Sequence, residues 1–187
     1  MEPVSHPRLS ELVTGIGRAQ VIELADFAVT DKSWVTSLIQ ACYYSKPVNR
    51  NRKASWVLHH IFLRNPEFIE PMVLEIVGAL DKSEDGSVQR ELLKIMADVK
   101  VRESDVGEVG AELFGLAIEL LYDQSQAKGM HYIAIRLMKR YIVSEANREE
   151  ALSAIRHMLA VQYSNELTMC NAAERAMKGL QKLKFKK

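Results

Sequence analysis

Residues 50–64, RNRKASWVLHHIFLR, decide how the rest of the chain is read. Ala54, Trp56, Val57, Leu58, Ile61 and Phe62 form an apolar stripe at helical spacing, which predicts a helix over 51–64. Arg50, Arg52, Lys53 and Arg64 supply its charge, and no acid lies among them. Helices of the same make recur at near-regular intervals on the C-terminal side, so the organising object is a repeat.

Working outward, residues 1–7 with Pro3 and Pro7 read as a disordered lead, followed by helices over 8–18 and 19–29. Asp31 is a suitable cap for a helix over 33–44, which Ser45-Lys46-Pro47 ends. Asn65-Pro66-Glu67 combines a cap residue, a proline at the first position and an acid in the first turn. That predicts a helix over 66–80 in which Pro71 makes only a mild disturbance. DKSEDG, residues 81–86, is the clearest loop, and Val88, Leu92, Ile95, Met96 and Val99 then follow helical spacing. A helix over 105–122 is apolar through Leu113, Phe114, Leu116, Ala117, Leu120 and Leu121. Met130, Ile133, Ala134, Leu137, Met138, Tyr141 and Ile142 have the cleanest period in the chain. Asn147 with Glu150 resembles a capping box opening a helix to 163. A last helix over 165–183 turns Met169, Ala173, Ala176, Met177 and Leu180 inward. No period-2 strand bounded by turns is found, and only 9 glycines and 5 prolines interrupt 187 residues. The expected class is all-α.

Aligning the inward faces pairs Trp56 with Leu92, Ala134 and Ala176, at intervals of about 36, 42 and 42 residues, within the HEAT and armadillo range. The helices then pair as outer (A) and inner (B): 33–44 with 51–64, 66–80 with 87–99, 105–122 with 129–143, and 147–163 with 165–183. The expectation is an α-α superhelix, a HEAT/armadillo-like solenoid of about four helix pairs with an N-terminal helical cap. It fills one domain, 8–187, with a basic tail at 182–187; an unrelated helical bundle is the alternative. NRKASWVL at 51–58 and VQRELLKI at 88–95 resemble the inner helices of a small bacterial HEAT-repeat-like family found largely in Bacteroidetes. That resemblance covers residues 31–183. It implies an ARM-type fold without an assigned activity, and it carries over no catalytic residue.

A net charge of +1 argues against a wholesale nucleic-acid-coating protein but leaves room for a local basic surface. The two cysteines, Cys42 and Cys170, stand in no metal or redox spacing and read as reduced and buried. No apolar h-region or membrane-length apolar run is present, so the expected location is cytoplasmic. Chemistry is sparse. His59 and His60 are adjacent and point about 100° apart on a helix, which suits no shared metal. His131 and His157 lack an acid or cysteine at ligand spacing, and Gly15-Ile-Gly17 lacks the strand and third glycine of a dinucleotide loop. Glu84-Asp85 and Glu149-Glu150 serve a loop and a helix start. Neither an enzyme, a cofactor, a metal nor a small-molecule substrate is expected.

Charge is distributed unevenly between the helices. The A helices over 66–80 and 105–122 hold acids without bases, whereas the B helices and the tail from Arg175 are basic. A basic inner face of Arg52, Lys53, Lys94, Arg136, Lys139 and Arg140 would offer a partner extended contact, with a protein expected before nucleic acid. Solubility and helix C-terminal charge are the competing explanation. A HEAT-like alkylation-repair glycosylase is the alternative function. It requires Trp34 or Trp56 exposed on the basic face beside a carboxylate, for which Asp98 is the acid nominated.

Overall fold

The computed structural model describes residues 6–13, 17–44, 48–101 and 106–185; every regular element among them is helical. The chain divides into two units, Met1–Arg102 and Glu103–Lys187. In the first, a 3-10 turn Pro7–Leu12 precedes α1 (Arg18–Phe27), α2 (Ser33–Tyr44) and α3 (Val48–Arg64). Two further 3-10 turns, Pro66–Phe68 and Glu70–Met72, lead into α4 (Val73–Lys82) and α5 (Gly86–Asp98). The second unit holds α6 (Val106–Tyr122), α7 (Lys128–Tyr141), α8 (Glu145–Gln162) and α9 (Leu167–Gln181).

Each unit is two layers of paired helices. In the first unit α2 packs on α3 and α4 on α5, while α2 also meets α4, and α3 meets both α1 and α5. Thus α2 and α4 form an A layer, and α1, α3 and α5 a B layer. The second unit pairs α6 with α7 and α8 with α9, with α6 against α8 and α7 against α9. Neighbours within a layer run parallel. Arg52 and His59 of α3 reach Asp85 and Glu91, separations of 33 and 32 residues that advance together along α5. Lys128 at the start of α7 reaches Thr168 at the start of α9, 40 residues on, and Gln162 reaches back 38 residues to the Gln124 carbonyl. The contacting positions of α3 and α5 are thus 32–33 residues apart, fewer than the expected interval of 36.

The apolar faces account for this packing. All seven residues of the 130–142 pattern are buried, as are Val88, Leu92, Ile95, Met96 and Val99. Asp31 caps α2 by accepting from the Ser33 amide at 2.9 Å and its hydroxyl at 2.7 Å. Trp34 follows it into the core at 0% exposure, its indole N–H donating to the Leu24 carbonyl at 2.9 Å.

Several elements differ from the sequence-based expectation. The first helix is a short 3-10 turn, opened by His6, whose Nδ1 accepts from the Arg8 amide, and by Pro7. His6 also stacks on Trp34 at 4.9 Å between centroids and bonds Asp31, so it is held against the first unit; residues 1–5 and 14–16 lie outside the described residues. Pro71 does more than disturb the helix over 66–80. It lacks the N–H that would close an α turn and crowds the residue before it, so residues 66–72 become two 3-10 turns and α4 starts only at Val73. The cap of α8 is Ser144 in place of Asn147: its extended backbone lets the hydroxyl accept from the Asn147 amide at 3.1 Å. Trp56 points to the partly exposed side of α3, because the buried stripe runs through Ala54, Val57, Leu58, Ile61 and Phe62.

Candidate functional site

The B layer of the first unit carries a polar cluster built on a carboxylate that the sequence reading passed over. Glu91 sits on α5 one turn before Lys94, and α5 lies parallel to α3, so the Glu91 side chain meets His59. Its Oε2 accepts from His59 Nδ1 at 2.8 Å, and its Oε1 from Lys94 Nζ at 2.8 Å and from Arg90 Nε at 3.3 Å. The residue is only 7% exposed. Burial alone would raise the carboxyl pKa, but the His59 and Lys94 hydrogen bonds outweigh it and hold the group at about 2. A carboxylate only accepts, so Nδ1 of His59 carries the hydrogen and Nε2 is left as the ring's second acceptor or donor site. With three donors on two oxygens, Glu91 clamps α3 to α5.

Beside this clamp the solvent edge of α3 presents Trp56, with the His60 ring edge-on at 6.0 Å between centroids. Burial, then His59 and Arg18, push the His60 pKa below its usual value. Of the bases nominated for this unit, Arg52 is spent on Asp85 at 2.9 Å and Lys94 on Glu91. Lys53 donates to the Val13 carbonyl at 3.4 Å. Arg64 forks onto Asp26 at 2.7 and 3.1 Å. The acids absent from the α3 sequence are supplied by α1 and by the cap of α5.

In the second unit the three nominated bases, Arg136, Lys139 and Arg140, are all exposed on α7. Arg140 lies over the Tyr141 ring at 5.7 Å, and Lys139 reaches across α9: a Cβ placed on Gly179 would stand 3.8 Å from its Cε. Helix α9 adds Arg175, Lys178 and Lys182, all exposed and absent from the nominated set. Lys128 and Arg148 of this unit pair with acids, whereas Lys139, Arg175, Lys178 and Lys182 make no ion pair among the described residues, with Glu174 one turn before Lys178 on the same helix. The sequence already marks the tail from Arg175 as basic, and helical spacing carries that run onto the exposed face of α9.

The remaining candidates resolve simply. His131 is fully buried, and one tautomer satisfies it: Nε2–H donates to the Asp123 carbonyl at 3.3 Å and Nδ1 accepts from the Tyr163 hydroxyl at 2.8 Å. His157 stacks on Tyr122 at 4.9 Å. Asp98 is exposed at the end of α5, and the buried acid of that helix is Glu91, bonded to His59. Among the described residues no group of histidines, cysteines and acids is arranged to hold a metal, and no helix is long and apolar enough to cross a membrane. Burial raises the Cys42 thiol pKa well above its usual range, and Cys170 donates to the Tyr163 carbonyl at 3.2 Å. Comparison with protein families, with curated proteins and with solved structures gives no match for this chain. The arrangement itself can offer fixed cations and an aromatic edge to an anionic macromolecule.

Proposed function

We propose that the protein is a non-catalytic interaction scaffold of HEAT-repeat type that binds an acidic segment of a partner protein along its B helices. The observation that carries this reading is the row of Lys139, Arg175, Lys178 and Lys182 on α7 and α9. All four are exposed and none makes an ion pair among the described residues, and Glu174, next to Arg175 and one turn before Lys178, is the one acid of α9 beside them, whereas Arg52 and Arg64 of α3 are paired. Uncompensated like charge on adjacent helices repels itself, and an anionic partner relieves that cost. Layered parallel helix pairs repeating every 32–40 residues support the solenoid reading, and binding through an extended repeat surface is the fold-level analogy that goes with it.

A second reading, a nucleic-acid-binding protein related to alkylation-repair glycosylases, has one observation in its favour: Trp56 is partly exposed on a basic face with a carboxylate nearby. Three donors already occupy that carboxylate, which leaves it poorly suited to stabilise a developing positive charge on a sugar. Anisotropy titrations with a labelled Glu-rich peptide and with a short DNA duplex, over a range of salt, separate the two. The scaffold reading requires peptide binding that weakens with salt and falls about tenfold or more in Lys178→Glu/Lys182→Glu, a loss of about 1.4 kcal/mol. Duplex binding with a steep salt slope and no peptide binding would replace it with the second reading.

A further inference from the structure

Helical spacing sets Trp56 and Leu63 two turns apart on one edge of α3, with His60 between them and Arg52 one turn before. This edge lies opposite the buried stripe of Ala54, Val57, Leu58 and Ile61. Leu63 is 61% exposed and Trp56 partly so, although α1, α2 and α5 all pack on α3. Trp56 thus leaves aromatic surface in water while Trp34 is completely buried. A large aromatic and an aliphatic side chain aligned on one edge are the usual makings of a binding hot spot. Cations border the edge: Arg18 stands close enough to act on the His60 ring, and the Arg52 side chain remains 53% exposed despite its bond to Asp85.

We infer that this edge docks an acidic segment of a partner protein whose two apolar side chains cover Trp56 and Leu63, with carboxylates set against Arg18 and Arg52. The anchors of that segment lie about 10 Å apart, the rise of seven helical residues. Leu63 offers nothing for a nucleobase to stack on, which favours a polypeptide. The inference rests on the scaffold reading only for the acidic character of the partner, and it adds a site in the first unit distinct from the basic row on α7 and α9.

The chain has 2 tryptophans, and with Trp34 at 0% exposure, acrylamide quenching of fluorescence reports on Trp56. The probe is an unlabelled Glu-rich peptide of about fourteen residues with leucines at i and i+7. It is expected to lower the acrylamide quenching constant at least about twofold, and Leu63→Ser to weaken its affinity about tenfold. The same peptide with both leucines changed to serine is expected to give no protection. Binding of the leucine peptide without protection of Trp56, and with affinity unchanged in Leu63→Ser and Trp56→Phe, would overturn this site while leaving the scaffold reading intact. Protection by a DNA duplex but not by the peptide would overturn the partner class. Absence of binding by a fluorescently labelled copy of the same peptide in anisotropy would remove both.

Discussion

Replacing Glu91 by glutamine keeps the side-chain volume and one acceptor oxygen but removes the charge that three donors share. Its cost at pH 7 follows from the clamp. A carboxyl held at about 2 against its usual 4.5 sets a ceiling of about 3 kcal/mol on the favourable interaction. Lys94 and Arg90 retain side-chain exposures of 33% and 49%, so water screens part of their share, and about 2 kcal/mol is the expected loss. The pH dependence has a definite sign. A carboxyl with a depressed folded pKa stabilises the protein above its unfolded value of 4.5, and that contribution is lost as pH falls towards 2. The gap between wild type and Glu91→Gln therefore closes on acidification, with more than half of it gone near pH 3 on the order given by linkage. Urea unfolding read by tryptophan fluorescence measures this cleanly, because Trp34 and Trp56 both lie in the first unit. A gap below about 0.5 kcal/mol at pH 7, or one unchanged at pH 3, would refute the clamp, since charge-assisted bonds at these distances carry more than that.

Three further substitutions test other parts of the structure. Asp85→Ala removes an N-cap that accepts from the Ser87 and Val88 amides at 2.8 and 3.3 Å and also binds Arg52. It should cost about 1–2 kcal/mol in urea unfolding, and Asp85→Asn distinctly less. Tyr163→Phe leaves Nδ1 of the buried His131 without a donor and should lower stability by about 1–2 kcal/mol in a thermal melt followed by circular dichroism. Gly115→Ala acts in the opposite direction. A Cβ there meets nothing within 4 Å inside α6, so the variant should gain about 0.5–1 kcal/mol, and a loss would mean that the α6 backbone is not the regular helix described.

What was legible in the sequence is what one helix determines alone. The 130–142 pattern, the α5 core set and the Asp31 cap depend on spacing within one element, and each is found as read. Where a second element decides, the reading failed. Trp56 stands about 100° from Val57 and about 140–160° from Ile61, Ala54 and Leu58 round the helix, so an apolar run read as one stripe took in a residue that only the packing of α1, α2 and α5 shows to lie on the open edge. Trp34 looked ambiguous because it begins a helix, and its burial depends on the carbonyl of Leu24 and the ring of His6, neither of which helical spacing specifies. Pro71 was underestimated because Pro66 already supplied a helix start, and a second proline five residues on falls where an N–H is required.

The charge pattern carries the same lesson one level higher, and it changes which residues matter. Counting acids and bases helix by helix made α3 look like an unbalanced basic element. Arg64 and Arg52 are nevertheless paired with Asp26 and Asp85 on the flanking elements, which a count within one helix cannot see. On α7 and α9 the same count led to a different outcome: among the described residues Lys139, Arg175, Lys178 and Lys182 make no ion pair, and Glu174 alone stands beside them as an acid. Two features with different physics follow. The edge of α3 offers apolar area bordered by partly spent cations, so affinity there should depend on Leu63 and Trp56 and respond weakly to salt. The row on α7 and α9 offers mainly charge, so its contribution should decay steeply with ionic strength. Salt dependence measured separately in Leu63→Ser and in Lys178→Glu/Lys182→Glu distinguishes them: the first variant should keep the wild-type salt slope and the second should flatten it. The opposite assignment of slopes would show that the helix-by-helix count, and not the ion pairs, describes the surface a partner meets.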